Sequence, residues 1–452
     1  MKILALFSLL VPILGFSQNA DWKELQNKID SAVKINGVVL VNRNYKIDKP
    51  LVAAKWNGKD YDYFTIQIIG QATMWDVNSR SVIVATFNDA PALSIHKGKG
   101  VLIKGINLQG EFKPPTLTTE QLYSTTLDEY SQGNSRDSRY SPYCAIAIDP
   151  FMHKLPPDNG YPMLKSWYRG SNSVNGSIGI RIEDCTMNGF IVGAITSPNG
   201  HTLNAESITF QNIRIGNCKI GFAGCQSNEK MVRVINVGAW GTTHTLFGFN
   251  LYGNQEAGNW IVDGVNVAGN VVQLITRKSN GSFPMYLSNV FAESIGSIGE
   301  WSTNLSDRMD NASVNFRYID QTNGFPDYAL KGYGVTISNS TLRYYGQKLP
   351  ILFIGEQTHE SVNYDHNSPI FIETSKNQKL KNTVSVKIKV EKRKTLLSLK
   401  TEVGNTIGFF KEDRSWAGYG IVESITSGKA VVAQLSPSVI DGNKYLILLF
   451  DK

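Results

Sequence analysis

Cysteine is scarce in this chain, with 4 residues in 452, which sets aside a disulfide-stapled scaffold. No Cys and His fall at the spacing of a zinc site. Long apolar runs are missing too: beyond the first residues no stretch approaches the roughly 18 residues that a membrane-spanning helix needs. Charged residues make up only 18% against 42% hydrophobic, an ordinary globular balance, and the length admits two or three domains. The 40 glycines, together with many Asn and Ser, fit an all-β protein rich in turns.

The N-terminus carries Lys2, an apolar run from Ile3 to Phe16 broken by Pro12, and then Ser17-Gln18 as a cleavage point. This reads as an export signal over residues 1–17, so the mature chain is expected to be secreted or periplasmic, with no transmembrane segment once the signal is removed. That compartment leaves one disulfide open among Cys144, Cys218 and Cys225. Cys185 falls on an inward slot of the repeat that dominates the middle of the chain.

Between Ile180 and Leu342 one pattern recurs: two alternating apolar residues, a polar corner, then two more alternating apolar residues. The corner falls at Asp184, Asn212, Asn236, Gly264, Asn289 and Asn339, with Tyr318 as a misfit, about 26 residues per coil. Val232-Arg-Val234 before Val237-Gly-Ala239 and Trp260-Ile-Val262 before Val265-Asn-Val267 show the pattern. Period-two alternation puts Val234, Val262 and Leu287 inside and Arg233, Ile261 and Tyr286 outside. Asn and Asp are poor strand formers but tolerate left-handed backbone angles, so they turn the chain between two flat sheets. Coils stacked about 4.8 Å apart let the corner side chains hydrogen-bond as a ladder.

Asp21 is positioned to cap a helix over residues 18–35 with Trp22, Leu25, Ile29 and Val33 on one face, plugging the solenoid's open end. Coils are expected over 36–358, early ones turning at Gly70 and Gly105. The repeat is interrupted over 110–177 by aromatic and polar sequence, a loop expected to fold over a groove. Past Gln357 the composition changes, and short alternating runs over 376–452 predict a small β-sandwich or barrel.

An Asn ladder at the corner of a right-handed coil resembles the pectate-lyase-type parallel β-helix superfamily, which includes polysaccharide lyases, glycoside hydrolases and phage tailspikes. The resemblance implies an all-β fold, a right-handed parallel β-helix with a small C-terminal β domain. It implies that substrate lies along the sheet preceding the corner strands. The reactive groups expected there are Glu256, Arg277, Lys278, Glu300 and Asp307, with His244, Tyr252, Gln273, Trp301 and Arg308 as substrate contacts. A lyase needs a cation, a base and often a metal; the metal is unknown here, with Ca²⁺ the candidate if the chain is a lyase. A hydrolase needs two carboxyls, and Glu256 with Glu300 are the candidates. Neither the Asp-rich words of polygalacturonase-like hydrolases nor the Arg-x-Pro-x-x-Arg of pectate lyases is present. Thr276-Arg277-Lys278-Ser279-Asn280 resembles the Lys-Ser segment of alginate and chondroitin lyases.

The formal charge of +7 favours an anionic polysaccharide over a neutral one and, for an exported β-helix, over nucleic acid, although much of the excess lies between Lys376 and Lys394. A carbohydrate-active enzyme is thus weighed against a non-catalytic glycan-binding adhesin or tailspike-like receptor binder. A homo-oligomer is left open.

Overall fold

The computed structural model describes residues 17–57, 61–75, 80–117, 127, 143–149, 175–196, 204–225, 231–249, 251, 259–278, 283–303, 306–317, 328–345, 351–366, 370–373, 385–412, 416–435 and 439–450. The chain winds as a right-handed parallel β-helix with three sheets, here A, B and C. Five consecutive segments, Arg181–Asn188, Thr209–Gly216, Val232–Trp240, Trp260–Val267 and the start of Met285–Ser302, run through sheet A, turn at the corner and continue in sheet B. Sheet C stacks Leu51–Trp56, Leu93–His96, Cys144–Ile148, Val192–Thr196, Ile220–Gly224, Thr242–Phe249, Asn270–Lys278 and the end of Met285–Ser302.

The register matches the alternation: Val234, Val262 and Leu287 are buried, while Arg233, Ile261 and Tyr286 face solvent. Coil pairing runs past the expected end at Gln357, through Gln357–Glu360, Asn363–His366 and Ile370–Glu373. The 110–177 excursion lies mostly outside the described residues. Cys144–Ile148 within it is a full member of sheet C, and Asn175–Ile178 at its end pairs with Asn204–Glu206.

At the corner, Asp184, Asn212, Asn236, Asn289 and Asn339 have φ between 49° and 55°, and Gly264 has 77°. The expected misfit at Tyr318 is corrected: the sixth corner is Asn311 at φ 50°, whose side-chain amide reaches Asn289 Oδ1 at 2.5 Å. The ladder comes in three runs, each headed by a carboxylate. Asn212 donates to Asp184 (2.9 Å) and Asn236 to Asn212 (2.8 Å). Gly264 has no side chain, and its neighbour Asp263 accepts from Asn289 at 2.6 Å; Asp310 accepts from Asn339 at 2.9 Å. An amide passes the chain of bonds along, donating with its nitrogen and accepting with its oxygen, whereas an ionised carboxylate only accepts and so fits the end of a run.

The helix Ser17–Ile35 lies over the first coil with Leu25, Ile29 and Val33 buried. It begins before Asp21, so Asp21 is no cap: it instead pairs with Arg43 at 2.8 Å and accepts the Lys46 N–H at 2.9 Å. Buried Gln26 bonds both the N–H (2.9 Å) and the carbonyl (2.8 Å) of Val52, the first strand of sheet C. The helix therefore satisfies backbone groups that an open sheet edge would expose. All four cysteines are free and buried, and burial pushes the Cys185 and Cys218 thiols up to about 12. No disulfide joins them.

At the other end a six-stranded antiparallel sheet, including Thr406–Phe410, Trp416–Thr426 and Lys444–Phe450, builds a core from Leu397, Ile407, Phe409, Val422 and Val432. Phe410 points away from that core and packs on Tyr328 and Ile354 of the last coils.

A candidate polysaccharide face on sheet C

Sheets A and C use their strands differently. The ladder of sheet C skips one position in each central coil: Gly193 and Gly221 are passed over between Val192↔Ile220 and Ala194↔Phe222, and Leu246 and Leu274 between Thr245↔Gln273 and Phe247↔Ile275. Alternation shifts by one across the skip. A Cβ on Gly221 would meet inward Ile215 at 3.4 Å, yet the next residue, Phe222, also points inward, edge-on to Phe210 at 5.3 Å. On the outside, a Cβ on Gly248 would meet Ile220 at 3.1 Å, so Ile220 and Gly248 share the outer face.

This shift sorts the expected site residues. Arg277 and Asp307 are both fully buried, 3.4 Å apart. Trp301 donates its indole N–H to Asp307 Oδ2 at 2.7 Å, the Met285 N–H bonds Oδ1 at 2.9 Å, and Arg277 donates to the Phe283 carbonyl at 2.6 Å. Phe249 lies under the guanidinium at 5.7 Å. Burial raises the Asp307 pKa, with Arg277 the main opposing influence. Arg277, Asp307 and Trp301, expected in the groove, are therefore corrected to a packed internal knot, out of reach of polymer. His244 is buried as well, its Nδ1 2.9 Å from Thr245 Oγ1. Arg308 is not on the sheet C rim either: it lies on sheet A, donating to Ser338 Oγ at 2.9 Å and approaching Asp310 (3.8 Å) and Glu360 (3.9 Å). Glu256, Tyr252 and the side chain of Lys278 lie outside the described residues.

The outer face keeps two of the expected groups. One outward column reads Ala147, Ile195, Ala223, Gly248, Thr276, Glu300, Lys331 and Ile354 in register. Its apolar members Ala147, Ile195 and Ala223 are buried, and the column becomes charged and open to solvent only at Glu300 and Lys331. Gln273, in a parallel column, donates to Thr245 Oγ1 at 2.9 Å and also to Thr276 Oγ1. The Glu300 side chain is 22% exposed, with Lys331 Nζ 3.7 Å away and 53% exposed. Tyr328 donates to Glu300 Oε1 at 3.3 Å. Because Tyr328 also packs on Phe410, the antiparallel sheet borders the polar end of the face.

Tyr328 and Lys331 carry no sequence signal, because the strand Leu330–Lys331 is too short to show alternation and Tyr328 lies before it. Among the described residues no three His, Cys, Asp or Glu gather as metal ligands.

No protein-family model matches the sequence, and no curated protein matches it either. Several solved structures are similar in chain path. The A-module of a mannuronan C-5 epimerase from Azotobacter vinelandii is 12% identical over 78% of this chain and 95% of its own, with a TM-score of 0.34. The enzymatically active domain of tailspike protein 2 of bacteriophage CBA120 is 10% identical over 94% of this chain and 67% of its own, at 0.40. The Streptococcus pneumoniae surface protein and adhesin PfbA is 11% identical over 78% and 95%, at 0.38.

Proposed function

We propose that this is an exported carbohydrate-active protein that binds an acidic polysaccharide along the outer face of sheet C and cleaves it at Glu300. The observation that carries the reading is the contact of the Glu300 carboxylate with Lys331 at 3.7 Å, on a column that is otherwise apolar or uncharged. Lys331 is the exposed cation that an acidic sugar's carboxylate would meet. Glu300 is the group that takes or returns a proton at the sugar, held in place by the Tyr328 hydroxyl. Gln273 and Thr276 beside it are buried and hydrogen-bonded to each other, so they form the floor under this contact.

Elimination and hydrolysis differ in product, and a panel of acidic and neutral polysaccharides scored for unsaturated ends and for reducing ends separates them. Glu300→Gln should lower turnover by about 10²–10⁴-fold. Wild-type turnover in that variant would remove Glu300 from the mechanism.

A second reading, binding without cleavage as in an adhesin, is favoured by the withdrawal of Arg277 and Asp307 into the core, which leaves Glu300 as the one carboxylate of the expected set described on this face. Binding with neither kind of product would select it. Export itself is tested by recovering the mature chain, starting near Gln18, outside the cytoplasm. Among the described residues no helix is long and apolar enough to cross a membrane.

A further inference from the structure

Arg214 stands on the outer face of sheet B between two indoles, with its guanidinium 4.4 Å from the Trp240 ring and 5.7 Å from the Trp75 ring. Trp240 comes from the next coil, and Gly216 gives it room: a Cβ there would meet the indole at 2.6 Å. Trp75 arrives from far away in sequence, on the turn that follows Gln67–Ile69. That turn is anchored by Met74, whose sulfur accepts from Asn236 of the corner ladder at 3.8 Å and whose methyl would meet a Cβ on Gly238 at 3.5 Å. Only the tip remains open: Met74 is buried, whereas Trp75 is 65% exposed.

Two features of this cluster call for a ligand. Among the described residues Arg214 has neither a carboxylate partner nor a hydrogen-bond acceptor, although its surroundings desolvate the charge enough to lower its pKa. An Arg presents five N–H donors in a fork suited to a carboxylate or sulfate. A large, exposed indole next to it is the flat apolar surface on which a sugar ring stacks. The same outward column continues through Gly238 and Asn266 to Phe291, which is 44% exposed. Three strand steps of about 4.8 Å put Phe291 about 14 Å from Arg214. Between the two ends Met74 covers Gly238, and Asn266 is exposed.

We infer that Trp75, Arg214 and Trp240 form a second saccharide site, on sheet B, which takes an acidic sugar by pairing its anionic group with Arg214 and stacking its ring on Trp75. The site rests on the proposed function only for the class of ligand, since it lies on a different sheet from Glu300. It would hold the polymer on the solenoid independently of any cleavage on sheet C.

The test uses the full chain carrying Glu300→Gln, so that no polymer is consumed, with oligogalacturonate, a sulfated glucan and a neutral glucan as probes. Binding is followed by tryptophan fluorescence and titration calorimetry. Arg214→Gln and Trp75→Ala should each weaken binding of an anionic probe by about tenfold or more, and Arg214→Lys should recover part of the loss. Response to oligogalacturonate alone or to the sulfated glucan alone identifies the anionic group that is recognised. Trp75 sits at an exposed tip, so its variant keeps the test valid if Arg214→Gln folds poorly. Affinities within twofold of the parent in both variants, or equal binding of neutral and anionic probes, would overturn the site. Wild-type chain that binds through Arg214 but cleaves nothing would refute the enzymatic reading and leave this site standing; cleavage lost with Glu300→Gln but binding indifferent to Arg214 would do the reverse.

Discussion

Two arginines of this solenoid sit among aromatic rings, and they differ in which side of the strand they occupy and in what they face. Arg277 points inward onto Phe249 and has Asp307 at 3.4 Å, both ends of the pair fully buried. Arg214 points outward between Trp75 and Trp240 with no counter-charge among the described residues. A guanidinium inside the coil is held by the charge of a carboxylate and one hydrogen bond to a backbone carbonyl; outside, water can meet its donors until a ligand replaces it. A cation beside an aromatic ring therefore does not by itself mark a sugar site. What sets Arg214 apart is the absence of a counter-charge among the described residues and the exposure of the Trp75 ring.

The largest effect should come from breaking the inner pair. Asp307→Ala leaves the Arg277 guanidinium buried without its counter-charge and removes the acceptor of the Trp301 indole and the Met285 N–H. A loss of about 3–5 kcal/mol in chemical denaturation is expected. Replacing both partners, Arg277→Met with Asp307→Leu, should recover much of it. A neutral Asp307→Ala would mean the pair is not desolvated.

His96 sharpens the comparison as a buried group kept neutral rather than paired. It is fully buried, stacks on Tyr61 with centroids 6.0 Å apart, and burial lowers its pKa to about 3. Above the unfolded-state value near 6.5 both states are neutral and stability is complete. Below it the unfolded chain takes up a proton that the folded chain refuses until about pH 3. Stability should thus fall as the pH drops, by about 3 kcal/mol between pH 7 and pH 4 from this residue. His96→Phe, which keeps the stacking, should flatten that slope; an unchanged slope would assign acid lability elsewhere. His359, lowered to about 4 by burial, adds in the same direction.

The corner and the register of sheet A were legible because both rest on local rules: a left-handed φ selects Asn, Asp or Gly, and one buried face forces period two. The sixth corner is hidden because Asp307 fills an inward slot that the next coil gives to Val335, so the word before Asn311 does not read as apolar alternation. The site was less legible for a different reason. A strict alternation cannot foresee that the ladder skips Leu274 and Ile298, which is what places Gln273 and Glu300 outside and Arg277 and Trp301 inside. Polar residues on one strand were read as one surface, and the skip divides them. Nor does sequence bring Met74 to Asn236, or Trp75 to Arg214; that contact depends on the coils stacking first.

The ladder supplies an intermediate case, a polar network on the surface with every link satisfied. Asn236 donates to Asn212 Oδ1 at 2.8 Å and holds φ at 54°. Asn236→Leu should cost about 1–3 kcal/mol by leaving Asn212 underbonded and straining a left-handed backbone. Asn236→Gly should cost less, since the fold already accepts glycine at Gly264. Equal losses in the two variants would show that backbone conformation contributes little.

The smallest effect belongs to the outer arginine, and its smallness is the point. Arg214→Ala breaks no ion pair among the described residues, so what folding loses is a pair of cation–aromatic contacts and the packing of the side chain's stem, about 1 kcal/mol or less at a half-exposed position. The same residue inside the coil would cost several times more. Denaturation midpoints of Arg214→Ala and Asp307→Ala, measured side by side, put the two environments on one scale. A loss from Arg214→Ala as large as that from Asp307→Ala would make the Trp75–Arg214–Trp240 cluster a structural clamp for the turn at Met74. A small loss leaves the exposed cation and indole for a ligand.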